Sequence, residues 1–320
     1  MNYGLPYQGS KNRIAKRLVE ALPAAPVLYD VFCGGCAVTH AAMLSGKYQH
    51  FVINDRRGWL PGAFQKAIHG GYAHEDRWIS REDFERLKST DAYAAMCFSF
   101  GNDTRSYMYA RGLEPYKRAL HYAIFWKDIA PWAELCPETA DALAAGLAPI
   151  EDRKQRRVQA GHFIIESLKA QLAAEMLTPD ILDKPIYRQI RRPENSHQSL
   201  QSLWSLERLQ SLERLESLPG ALTAHSGDYR ELCFDEPGVI YCDPPYKDTA
   251  DKSKDYADTS FDTESFYSWC ERQALPVYIS EYQMPEERFA CIAEWDKVTR
   301  MAAKTTTHVT ERLWRPRTQL

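Results

Sequence analysis

The chain has 320 residues, 44% hydrophobic and 26% charged, with a formal net charge of −3 at pH 7. That length buries a sizeable core and predicts two domains, or one domain with a large insertion. The charge balance excludes a disordered chain and a globally basic surface, so any polyanionic partner must be met by a local patch.

From the amino terminus, MNYGLPYQGSK lacks the apolar stretch of a signal peptide, and nowhere do eighteen apolar residues run together. The eight cysteines are scattered and several sit in apolar runs, which reads as reduced thiols in a cytoplasmic protein with no membrane partner. Only Cys33 and Cys36 have metal-ligand spacing, and no second pair completes the set, so no metal is expected.

Val27 to Asp30 reads as a short strand that runs into Phe32-Cys33-Gly34-Gly35, followed by a helix from Ala37 to Leu44 that ends near Gly46. A second apolar run, Phe51-Val52-Ile53, delivers Asn54-Asp55, and the whole resembles a β-α-β unit with an acid ending its second strand. The same logic returns after residue 220. Ala221 to Ala224 precedes Gly227-Asp228, Gly238 to Cys242 precedes Asp243-Pro244-Pro245-Tyr246, and Pro276 to Ile279 precedes Ser280-Glu281. Residues 60–197 lack comparable strands and carry aromatic and basic helical stretches, such as Glu114 to Lys127 and Arg153 to Leu177. The expected organisation is an α/β catalytic domain from 1–59 and 198–320, with helices on both faces of its sheet. A mostly helical domain at 60–197 is inserted into it.

Leucines at 200, 203, 206, 209, 212, 215 and 218 recur at a strict spacing of three. On an α-helix each lags the last by about 60°, so the row wraps around the helix and a clean amphipathic face is excluded. Half of the row facing a core, a segment tighter than α, a connecting helix and a dimer seam all remain open; oligomeric state is not legible.

The chemistry concentrates at DPPY. Two prolines remove two amide donors and leave the carbonyl before them unclaimed by the ladder. The Asp243 carboxylate and the Pro244 carbonyl both suit one exocyclic NH2 group, and Tyr246 offers a ring for stacking; the arrangement fits an adenine drawn out of its helix. The competing reading is a proline-terminated strand with a turn aspartate. Upstream, Asp55 follows Gly35 by about twenty residues, where a ribose-binding acid is expected. DVFCGGCA is not GxGxxG and has no evident pyrophosphate cradle, which disfavours a dinucleotide. S-adenosylmethionine needs none: Asp55, Asp228 and Lys11 suit its ribose, its adenine and its carboxylate. Singly, Lys11 also reads as a solvated amine and Asp228 as a helix cap.

In that order the motifs resemble the DNA adenine methylase family over nearly the whole chain. YQGSK at 7–11 is similar to the family's amino-terminal cofactor motif, with Tyr7 and Lys11 at its aromatic and lysine positions. DVFCGGCAVT at 30–39 is similar to its glycine turn, which carries Asp30, Phe32, Gly34 and Gly35, although Cys36 stands where a second glycine is common. Asp55 matches the ribose acid, SGDY at 226–229 the acid contacting the cofactor adenine, and DPPY the catalytic motif. VYISEY at 277–282 and VTERLW at 309–314 look like its last strand motifs.

The resemblance implies a Rossmann-like methyltransferase sheet, S-adenosylmethionine as cofactor, duplex DNA as partner, and Asp243, Pro244, Pro245 and Tyr246 as catalytic residues. FSFGNDTRSYMY at 98–109 resembles a DNA-contacting stretch of the family. Asn102 suits a base edge, Arg105 phosphate or guanine and Tyr107 stacking, with Arg111 beside them; a glycine-kinked aromatic core turn is the alternative. Methylation of RNA adenine and a non-catalytic DNA-binding role are the rival functions.

Overall fold

The computed structural model describes residues 2–174, 176–190, 201–245, 261–302 and 305–320. It divides into two compact units, one of Met1–Gly71 with Leu212–Leu320 and the other Tyr72–Ser211.

The first unit is built on a seven-stranded sheet of order β3-β2-β1-β4-β5-β7-β6. The strands are β1 (Val27–Asp30), β2 (His50–Asp55), β3 (Ala221–Ser226), β4 (Gly238–Cys242), β5 (Val277–Glu281), β6 (Phe289–Ala302) and β7 (Thr305–Pro316). β1 to β5 run parallel. β7 is antiparallel to both β5 and β6. The fold is thus the α/β, Rossmann-like sheet expected from the sequence. All four residues of β1 and all five of β4 are buried, which is why these strands read as continuous apolar runs without alternation.

The order has one functional consequence. From β1 the chain winds outward to β2 and β3, then returns to lay β4 on the other side of β1. The carboxyl ends of β1 and β4 therefore flank the point where the winding reverses, and crevices at such switch points receive ligands.

Local chemistry explains the elements around it. Between β1 and β2 lies the helix Ala37–Ser45, which starts from Cys36 in the left-handed conformation (φ 55°) and stops at Gly46 (φ 68°), a glycine C-cap. The helix Thr263–Arg272 is capped by Asp262, whose side chain accepts from the Ser265 amide at 3.1 Å. Its Phe266, Trp269 and Cys270 pack with Val27, Ile240, Val277 and Ile279 in the core. Fully burying each such aliphatic side chain contributes about 1.5–3 kcal/mol.

The second unit is helical, with the long helix Arg153–Ala173 capped by Asp152 and cores around Trp132, Tyr93, Phe84 and Tyr187. Its limits differ from the 60–197 read from sequence. The helix Trp59–Ile68 packs on β2 and β3 and so belongs to the sheet unit, whereas the helix Gln201–Gln210 packs on Ala92–Cys97 in the helical unit.

That last helix opens the leucine row. Leu203, Leu206 and Leu209 are buried along it, and Leu212 and Leu215 are buried on a 3₁₀ turn, Ser211–Leu215. Three residues per turn is the 3₁₀ period, so a spacing of three holds one face there. Leu200 lies outside the described residues.

Candidate active site

Each of the five parallel strands ends in, or hands over to, a segment that carries a carboxylate. Asp30 closes β1, Asp55 closes β2, Asp243 follows β4 and Glu281 closes β5, while Asp228 comes shortly after β3. Backbone pairing alone sets their common edge, since β1 is in register with β2 and β4.

The turn after β1 is shaped by close approach. Gly34 has φ 47°, and its amide donates to Asp55 Oδ2 at 2.9 Å. The other Asp55 oxygen accepts the Arg57 amide at 2.8 Å. Each oxygen thereby keeps a second lone pair for a ligand hydroxyl. Burial raises the Asp55 carboxyl above its ordinary value, with the Arg57 and Gly34 amides opposing. A β-carbon at Gly35 would stand 2.9 Å from the Tyr7 Cβ, so only glycine lets the 3–7 segment cross the turn. The Leu5 amide bonds the Gly35 carbonyl there at 2.7 Å. The Tyr7 hydroxyl accepts from Arg57 Nη1 at 2.7 Å. Cys36 adopts a positive φ of 55°, a conformation that favours glycine.

Asp30 is 1% exposed. Its Oδ2 accepts the Thr39 hydroxyl at 2.6 Å, and its Oδ1 is buried with no hydrogen-bond partner. Burial pushes this carboxyl up to about 7, with the Thr39 hydroxyl pulling the other way. An orphaned buried acceptor next to a glycine turn suits a cationic amine. Phe32 packs against Tyr229, Phe261 and Phe266 with ring centroids 5.3, 5.9 and 5.6 Å away, an apolar wall of the kind a purine needs. Asp228 caps the turn Tyr229–Glu231 and is held by the Arg230 guanidinium, whose hydrogen bonds bring its carboxyl down to about 2. The donors and acceptors present therefore fit S-adenosylmethionine: Asp30 for an amine, Asp55 for ribose hydroxyls, Phe32 and Tyr229 for the adenine.

Lys11, read from the sequence as a partner for the cofactor carboxylate, pairs in the structure with the acid of the DPPY segment. Its Nζ lies 2.7 Å from Asp243 Oδ1 and 3.5 Å from Glu311 Oε1. Burial by itself would lower this amine, but Asp243 and Glu311 outweigh it and hold the amine above its ordinary value. Asp243 is partly exposed, Pro244 buried and Pro245 exposed; Tyr246 lies outside the described residues. Glu281 and Glu311 were not singled out from the sequence. Glu281 had a place after the Pro276 to Ile279 run and in VYISEY, Glu311 only its place in VTERLW, and no spacing links either to Lys11.

In the helical unit, residues 98–108 form a tight loop closed by the Ser99–Tyr107 bridge and by Phe100 N–H to Ser106 O at 2.7 Å. Asn102 and Thr104 both have positive φ. The Asn102 amide is spent on Met96 O and Ser205 Oγ. Tyr107 is buried, donates to Ile79 O at 2.8 Å, packs on Phe84 and lies under the Arg81 guanidinium. Both residues thus act as internal ties of the loop. Arg105 is half-buried and Arg111 exposed. Phe100 is 67% exposed at the turn, an apolar side chain that periodicity could not flag.

Among the described residues no group of His, Cys, Asp and Glu is placed to hold a metal ion, and no helix is long and apolar enough to cross a membrane.

Residues 7–123 match the family model described as D12 class N6 adenine-specific DNA methyltransferase, which supports the resemblance to DNA adenine methylases. No curated protein matches the chain. Among solved structures, the rRNA methyltransferase aviRa from Streptomyces viridochromogenes is 11% identical over 97% of this chain and 86% of its own, with a TM-score of 0.33. The Haemophilus influenzae protein HI0767, described as a methylase, is 10% identical over 97% and 90%, with a TM-score of 0.28.

Proposed function

We propose that this methyltransferase transfers the methyl group of S-adenosylmethionine to the N6 amine of an adenine extruded from duplex DNA. The observation that carries the reading is the position of Asp243-Pro244-Pro245 at the carboxyl end of β4, across the switch point from Asp30 and the glycine turn. The family match over 7–123 supports the adenine amine as acceptor.

The bound cofactor supplies an electrophilic methyl group. Asp30 and Asp55 would hold it by its amine and ribose, against Phe32. For the base, the Asp243 carboxylate and the Pro244 carbonyl accept the two N6 hydrogens. The N6 lone pair is delocalised into the ring, and accepting both hydrogens favours a pyramidal nitrogen whose lone pair is directed outward. Extrusion costs a few kcal/mol, which contacts to the strand must offset. Arg105 and Arg111, with the exposed Phe100, are proposed for those contacts. Tyr246 is retained as the stacking residue from the sequence alone.

Incubation with unmethylated duplex DNA or RNA and methyl-labelled S-adenosylmethionine, followed by nucleoside mass spectrometry, tests the reading. N6-methyladenine in DNA, abolished by Asp243→Ala with cofactor binding kept, is expected. Label in RNA alone would transfer the substrate, and label in neither would sink the enzymatic reading in favour of a DNA-binding protein.

A further inference from the structure

Four ionisable side chains from four separate segments converge around Lys11 and Asp243. Lys11 enters from the amino-terminal segment, Asp243 from the end of β4, Glu281 from the end of β5 and Glu311 from β7. Lys11 and Glu311 are shut off from solvent, at 6% and 0% side-chain exposure, while Asp243 keeps 20%. Glu281 feels the charges of Asp243, Lys11 and Glu311, and one of its oxygens accepts the Tyr282 amide at 2.8 Å. Tyr282, Tyr241 and Asp30 also face Asp243, and Cys242 adjoins it.

The count of charges matters because the reaction releases a proton. Attack by N6 forms the nitrogen–carbon bond, and the carbon–sulfur bond of the donor breaks with its electron pair left on sulfur. The nitrogen then carries a positive charge until one N–H bond gives up its proton. A carboxylate held at 2.7 Å by an ammonium is well placed but weakened as a base. Glu311, 3.5 Å from the same ammonium, shares its charge and opposes that weakening. Burial pushes Glu281 up to about 8, so near neutrality it is a neutral acid and adds no further negative charge.

Resting on the adenine-methylating reading, we propose that Lys11 and Glu311 are positioning residues: Lys11 fixes one Asp243 oxygen, and Glu311 keeps Asp243 basic enough to take the N6 proton. Asp243 then becomes the carboxylic acid, and the proton leaves to solvent through its exposed side. Lys11 on this account serves the acceptor and not the cofactor carboxylate.

The test compares kcat, KM and their pH profiles for wild type, Glu311→Gln, Glu311→Asp and Lys11→Arg. Glu311→Gln removes a negative charge beside Asp243, so the acid limb of kcat should move to lower pH. Its plateau should fall roughly 10- to 100-fold, within the range of a general-base effect. Cofactor KM should stay within about threefold, and Glu311→Asp should recover part of kcat. If Glu311→Gln does not fold, Lys11→Arg, which keeps the charge, should keep the limb and lose kcat with cofactor KM unchanged. A folded Glu311→Gln enzyme with wild-type kcat and limb overturns the proposal. So does either variant whose cofactor KM rises about tenfold at constant kcat. Wild-type protein that makes no N6-methyladenine overturns the enzymatic reading and this inference with it, whereas active wild type with unmoved variants overturns the inference alone.

Discussion

Lys11 Nζ and Asp243 Oδ1 are 2.7 Å apart across a sequence separation of 232 residues, with Glu311 Oε1 3.5 Å from the same amine. Removing the amine takes the shared cation from two carboxylates, one of them fully buried. Lys11→Met should destabilise the fold by roughly 3 kcal/mol, as breaking one partner of a buried pair does. Adding Glu311→Gln should restore part of that loss. Urea midpoints of the single and double variants check it, and additive losses would contradict it.

Asp30 links pH to both stability and cofactor affinity. Its carboxyl rises from 3.8 to about 7 in the fold, so the folded protein holds a proton that the unfolded chain has released. Its stabilising contribution is complete below about pH 4 and is lost as pH climbs through 7. Asp30→Asn should therefore gain Tm over wild type increasingly between pH 5 and pH 8. Cofactor affinity should run the opposite way. The ionised carboxylate is the form that pairs with an amine, so wild-type affinity should strengthen from pH 5.5 to 7.5 and the variant's should be weak and flat. Calorimetric titration across that range decides.

Gly35→Ala places a methyl 2.9 Å from the Tyr7 Cβ and 3.4 Å from the Leu5 carbonyl. The neighbour is close to backbone and cannot swing away, so the 3–7 segment must shift. A loss of about 1–3 kcal/mol in stability is expected, with weaker cofactor binding. Wild-type values for both would show that the segment does not need its close approach.

Phe100 and Tyr107 should separate cleanly. Phe100→Ser removes an exposed side chain and should leave Tm unchanged while weakening duplex binding severalfold. Tyr107→Ala empties a buried site and should cost about 3–5 kcal/mol. Gel-shift titrations beside thermal melts distinguish them; equal effects on both readouts would contradict this division.

Of the parallel strands, β1, β2, β4 and β5 were legible because each is largely buried and ends in or hands over to a polar residue, so they are continuous apolar runs punctuated by Asp30, Asp55, Asp243 and Glu281, whereas β3 at the sheet edge is mostly exposed or half-buried. β6 was not legible. Phe289–Ala302 mixes Glu294, Asp296 and Lys297 with apolar residues, and its strand character comes from pairing with β7. Asn102 and Tyr107 carried a DNA-contact reading from the resemblance of 98–109 and from residue type, and in the structure the Asn102 amide bonds Met96 O and the buried Tyr107 hydroxyl bonds Ile79 O.

What the sequence determined by itself was therefore local: apolar runs, the glycine turn, the helix that stops at Gly46, and the motif order that implied the family. Tertiary structure decided which distant groups meet. Lys11, Asp243, Glu281 and Glu311 have no common spacing or period, and their charges become coupled only when the strand order sets four chain segments along one dry edge. An electrostatic interaction depends on distance and burial in space, and neither is written in the order of the residues.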